Sequence, residues 1–176
     1  PNEIATDVWN ALMEQGADLG VTPVGLGARD TLRLEKGYLL SGQDFLWPGL
    51  GYDHQGPLPA GYLSRTSLEA NIPFGLNLDH NFIGKDAMIG SADTNTLWMG
   101  LMCTGKGPSP RTGHEVHSSP VGDSLIGLVT SGAPSPSLGV GIGMAYMENV
   151  MEGDTVYIKT SPRRMIEAKV RAPPFV

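Results

Sequence analysis

One cysteine in 176 residues, Cys103, leaves nothing for an internal disulfide and fits a reducing compartment. Positive charge is also scarce. Twelve Lys and Arg face eighteen Asp and Glu, a formal net charge of -6 and a pI near 5.1. A phosphate-backbone binder needs a clustered basic surface that releases counterions, so this balance argues against nucleic acid. No apolar run approaches the length of a membrane span, and no basic-then-apolar start resembles a signal peptide. The expectation is a soluble, cytoplasmic protein.

What is present is 40% hydrophobic residues, with 24 Gly and 14 Pro, the composition of a globular protein rich in turns. The length suffices for one ordinary domain or two small ones with a real core. No initiator Met precedes Pro1-Asn2-Glu3, which leads straight into a helical pattern, as if the chain were cut just after a strand.

Ile4, Val8, Trp9, Leu12 and Met13 place one apolar stripe on a helix that Asn2 can cap and Gly16 can end, a surface helix packed on something. Residues 28–36 favour a second helix, stopped by Gly37, with Arg29 and Arg33 one turn apart on one face. From Ser41 to Arg65, Gly, Pro and aromatic residues succeed one another without period, which predicts a long irregular loop. Residues 70–78 read as a short strand broken at Pro73, before a turn and a helical start near Ile83. Beyond residue 95 lie six short β-rich runs: Leu97 to Met102, Glu115 to His117, Leu125 to Thr130, Val140 to Tyr146, Thr155 to Ile158 and Met165 to Val170. Their spacing predicts a compact antiparallel sandwich or barrel, with a boundary in the polar stretch 90–95.

Among residues that could carry chemistry, Arg29 stands first. A guanidinium near a helix start, after the Gly25-Leu26-Gly27 turn, can offer a planar fork to a carboxylate or a carbonyl-bearing ring; the bland alternative is a surface pair with Asp30 or Glu35. Tyr38 can stack on a planar ligand or plug the core. His114 and His117 would not converge on a metal, since positions i and i+3 of a strand face opposite ways. No neighbour in sequence activates Cys103, so it reads as a small buried hydrophobe. Gly105-Lys106-Gly107 and Gly139-Val140-Gly141-Ile142-Gly143 lack the frame of phosphate loops and read as tight turns and close strand packing. Asp30, Glu35 and Glu167 show no arrangement that demands acid–base work, and solvation or pairing with nearby cations is expected for them.

The stretch Gly25-Leu26-Gly27-Ala28-Arg29-Asp30-Thr31-Leu32-Arg33-Leu34-Glu35-Lys36-Gly37-Tyr38, with Gly42-Gln43-Asp44 just after it, closely resembles the A-R-D-[ST]-L-R-L-E-A-G-Y segment of the glycine cleavage system aminomethyltransferase (T-protein) family. The resemblance continues through Thr66-Ser67-Leu68-Glu69-Ala70, Asn81-Phe82-Ile83-Gly84-Lys85-Asp86-Ala87, Ile126-Gly127-Leu128-Val129-Thr130-Ser131-Gly132 and Pro173-Pro174-Phe175-Val176. It implies an α+β chain: residues 1–92 as the C-terminal portion of an α/β folate-binding domain, succeeded over 93–176 by a six-stranded antiparallel β-barrel. The implied cofactor is tetrahydrofolate, with Arg29 and Tyr38 at its site. Phe74 stands at a position usually held by tryptophan, keeping a stacking face without the indole donor.

The implied partner is the lipoylated carrier protein (H-protein), together with the missing N-terminal part of the same protein. The family's catalytic aspartate and the acidic residue on the pterin ring have no counterpart here, so no catalytic or metal-binding residue is assigned. The polypeptide alone is expected not to catalyse transfer. The alternatives are a folate-dependent demethylase of the same fold, to which the long 45–65 segment points, a non-enzymatic folate-binding accessory protein, or a natural half-protein. The accessory relatives carry a K-G-C-Y-x-G-Q motif, whereas Lys36-Gly37-Tyr38-Leu39-Leu40-Ser41-Gly42-Gln43 has no cysteine.

Overall fold

Six β-rich runs close into a barrel. A computed structural model describes residues 1–46, 56–72, 76–91, 95–121 and 124–176. The strands are β1 (Thr96–Cys103), β2 (Glu115–His117), β3 (Leu125–Pro134), β4 (Gly141–Glu148), β5 (Thr155–Ser161) and β6 (Arg164–Arg171). All pairs are antiparallel, in the order β1-β4-β3-β2-β5-β6, and β6 closes on β1. Closure leaves no open sheet edge.

Side-chain alternation divides the core in two. Met99, Leu101, Val116, Val129, Ala145, Met147, Val156, Ile158, Ala168 and Val170 form one buried cluster. The opposite face of β1, β4 and β3 contributes Trp98, Ile142, Met144, Tyr146 and Ala133 to a second, joined by Leu34 and Phe175. A barrel wall exposed to water would be polar here; this one is apolar because other chain segments cover it. Gly100 shows how closely, for a Cβ there would lie 2.7 Å from the Phe175 ring.

Among the described residues, three α-helices precede the barrel: α1 (Ala5–Gln15), α2 (Leu26–Glu35) and α3 (Lys85–Ser91). Asn2 does not cap α1, because residues 2–4 form a 3-10 turn and Ile4 takes the cap position without a side-chain bond. The stripe on α1 is there but uncovered: Trp9 is 54% and Leu12 62% exposed. By contrast α2 packs on β3 and β4, with Leu34 wholly buried. Gly37, at φ +70°, supplies the left-handed turn that ends it.

Residues 47–55 of the expected loop lie outside the described residues; the described remainder contains turns and one bridge between Ser41 and Phe45. No strand forms in the described residues of 70–78, and 73–75 lie outside them. No helix among the described residues is long and apolar enough to cross a membrane.

Candidate functional site

The polar face of α2 is held to the barrel by a buried ion pair. Asp44 has no exposed surface, and its carboxylate accepts hydrogen bonds from Arg33 Nη1, Leu40 N at 3.0 Å, Thr130 Oγ1 at 2.6 Å and Ser131 Oγ. Arg33 spends four of its five N–H donors on protein acceptors. Its Nε donates to Asp30 at 2.7 Å, Nη2 to Ser131 Oγ at 2.9 Å, and Nη1 also to the Tyr38 carbonyl at 3.0 Å. A guanidinium suits this position because its planar fork serves several acceptors at once. Buried charges are tolerated here because each is paired and hydrogen-bonded.

Glu35 makes a second clamp from the end of the same helix. It accepts from Ser135 Oγ at 2.5 Å, Ser137 N at 3.1 Å and Ser137 Oγ at 2.9 Å. The Ser135 hydroxyl, and after it the Ser137 amide, holds its carboxyl below the ordinary value. Solvation or a cationic partner was the expectation for Glu35; neutral donors from the turn between β3 and β4 take that role. Its carbonyl also accepts from Phe175 N at 2.9 Å, which ties the C-terminal residues to α2.

These clamps fix the helix that carries the expected ligand residues. Arg29 is exposed, one turn before Arg33, and makes no ion pair or side-chain hydrogen bond among the described residues. Its neighbours are spoken for, since Asp30 pairs with Arg33 and Glu35 with the two serines. Tyr38 is 56% exposed, so it is not a core plug, while Arg33 holds its carbonyl. Phe74 lies outside the described residues. Among the described residues, an unpaired guanidinium thus lies in the first half of this anchored helix and an exposed phenol just past its end.

A third polar cluster secures the segment 56–72. Arg65 donates from Nε to the Tyr62 carbonyl at 2.8 Å and from Nη1 to Glu69 at 3.0 Å. Its guanidinium carbon lies 4.9 Å from the Tyr62 ring centre and 4.7 Å from that of Tyr146. Glu69 also accepts from Thr66 N and Oγ1.

The remaining candidates do not assemble. His114 lies just before β2 and accepts from Arg111 N, whereas His117 contacts Glu115 at 3.0 Å, so the two imidazoles stay apart. No group of His, Cys, Asp and Glu among the described residues could hold a metal ion. Burial pushes the Cys103 thiol up to about 11, far from a reactive thiolate. Arg33 and Asp44 were not singled out for a role by sequence reasoning, although both lie in the motif-bearing stretch 25–44; nothing local marks a partner 98 residues away.

The architecture defines a class: an α+β protein in which a helix, α2, is locked to the outer wall of a closed six-stranded barrel. Family models name it further. The GCVT N-terminal domain matches residues 1–46, and the glycine cleavage T-protein C-terminal barrel domain matches residues 98–176. The chain belongs to the glycine cleavage T-protein, or aminomethyltransferase, family and contains that family's C-terminal barrel.

An aminomethyltransferase of Halothermothrix orenii is 38% identical over 96% of this chain, and a probable aminomethyltransferase of Thermococcus kodakarensis 37% identical over 98%. The chain spans 43% and 42% of those two proteins. The crystal structure of glycine cleavage system aminomethyltransferase T from Bartonella henselae superposes on the whole chain with a TM-score of 0.73 at 27% identity, over 45% of its own length.

Proposed function

We propose that this chain is the folate-presenting and barrel portion of a tetrahydrofolate-dependent aminomethyltransferase of the glycine cleavage system. The reaction takes an aminomethyl group from the lipoyl arm of a carrier protein (H-protein), releases ammonia and yields methylenetetrahydrofolate. Residues 1–92 serve as the end of the folate-binding domain and 93–176 as the barrel domain. The supporting observation is the Arg29 guanidinium, unpaired among the described residues, on a helix that buried charges hold in place.

Arg29 anchors the folate through a charge-assisted fork, Tyr38 offers a stacking face, and Phe74 is the third contact. None of these residues performs proton transfer; their work is orientation of the one-carbon acceptor. The groups that act on the transferred carbon belong to the N-terminal part of the protein, which also covers the apolar stripe of α1. The chain on its own is therefore inactive.

In the complete protein, Arg29→Ala weakens folate binding by roughly 1.5–3 kcal/mol, the worth of a charge-assisted hydrogen bond. Tyr38→Ala costs less. Calorimetric titration reads both, and unchanged affinity in Arg29→Ala removes that residue from the site. Glycine-dependent ammonia release that requires lipoylated carrier supports the transferase; carrier-independent turnover assigns the protein to folate-dependent demethylation instead.

A further inference from the structure

A cavity of about 250 Å³ is lined by Tyr62, Arg65, Thr96, Leu128, Tyr146 and Glu148, among others, and by neither Arg29 nor Tyr38. Two of these residues carry opposite charges, and they do not meet: no ion pair within 4 Å joins Arg65 to Glu148. Such an arrangement is unusual in one small cavity, because long flexible side chains of opposite sign ordinarily close on one another.

Arg65 is prevented from closing. Its Nε and Nη1 are committed to the Tyr62 carbonyl and Glu69, and its plane is held against two tyrosine rings, which leaves Nη2 without a partner among the described residues. Glu148 ends β4, is exposed, and has no partner among the described residues. The Tyr62 phenol lies within reach of both charges. Burial chiefly raises its pKa, Arg65 lowers it and Glu148 raises it.

The charge count selects the ligand. Glu69 already neutralises Arg65, so with Glu148 the surroundings are net negative, which disfavours a plain anion. A plain cation would satisfy Glu148 and leave the Nη2 donor unused. A molecule with both a carboxylate and an ammonium meets the two unspent groups at once, each through a charge-assisted bond. We propose that this cavity binds a small zwitterion, a free α-amino acid, with its carboxylate on Arg65 Nη2 and its ammonium on Glu148. The site is independent of the folate reading.

The test uses the complete protein, amide chemical shifts of residues 125–128, and three probes: glycine, acetate and methylammonium. Glycine is expected to shift these signals saturably, with acetate and methylammonium each at least about tenfold weaker, as the loss of one charge-assisted bond requires. Glu148→Gln, an exposed substitution expected to leave the melting temperature unchanged, should weaken glycine by a similar factor. Absence of a saturable glycine shift, acetate binding as well as glycine, or full glycine affinity in Glu148→Gln overturns the proposal.

Discussion

Replacing Asp44 by Asn changes charge without changing volume, and the surrounding donors dictate how the new amide must lie. One carboxylate oxygen accepts from Arg33 and Leu40 N, both obligate donors, so the new amide nitrogen cannot sit there. It must face Thr130 and Ser131, whose hydroxyls can rotate to accept. Packing is thus preserved, and the loss is that of the charge. Arg33, with 11% of its side chain exposed, then keeps Asp30 as its one charged partner among the described residues, and Asp30 is itself about a third exposed.

Removing one member of a buried pair costs about 3–5 kcal/mol, and the surviving Asp30 contact puts this case near the lower end, about 3 kcal/mol. For a chain of this size that lowers the melting temperature by about 6–12 °C. Urea and thermal unfolding of the wild type, Asp44→Asn and Ser131→Ala measure it, the last losing about 1.5–3 kcal/mol because its hydroxyl bonds two charged groups. Because Arg33 Nη1 is shared with the Tyr38 carbonyl, hydrogen exchange in residues 26–38 should quicken in Asp44→Asn. A loss under about 1 kcal/mol would refute the claim that this pair locks α2 to the barrel.

The barrel was legible because its strands obey a local rule. Five of the six observed strands run one to four residues beyond an end of the expected runs, β4 also starting one residue later than expected, and Glu115–His117 coincides. The largest shortfall is instructive. Expected to stop at Thr130, β3 continues through Ser131, Gly132 and Ala133 to Pro134. These small residues look like a turn in sequence, yet Gly132 is required in the strand because a Cβ there would lie 2.3 Å from the Pro110 carbonyl oxygen. Long-range partners were illegible for the same reason: Glu35 meets serines 100 and 102 residues away, and Arg33 one 98 away. Arg29 and Tyr38 came from a motif, and spacing alone could not separate a ligand-facing arginine from a surface one.

Glu35→Gln tests the second clamp through pH. A carboxylate whose folded pKa is depressed stabilises the protein above the ordinary value of 4.5 and loses that contribution as pH falls through the folded value, so the melting-temperature gap between wild type and variant should narrow below pH 4.5. Gly37→Ala should cost at least about 1–2 kcal/mol in urea unfolding, from the left-handed backbone alone. A Cβ there would also lie 2.0 Å from that of Pro173, so Gly37→Asn, which tolerates the backbone, should be destabilised too.

Tyr62→Phe addresses how the segment 56–72 is stitched to the barrel. The Tyr62 hydroxyl accepts from Leu128 N at 2.9 Å and donates to the Tyr146 carbonyl at 3.1 Å, standing between two residues in register on β3 and β4. Phenylalanine keeps the ring under Arg65, so only the hydroxyl is tested. Each backbone group left unpaired costs about 1–3 kcal/mol, and entry of water would recover part, which places the expected loss near 2 kcal/mol. Tyr62→Leu should lose more, because the cation–π contact goes as well. If Tyr62→Phe unfolds within about 0.5 kcal/mol of wild type, the strands satisfy each other without the phenol, and the segment is held by Arg65 and Glu69 instead.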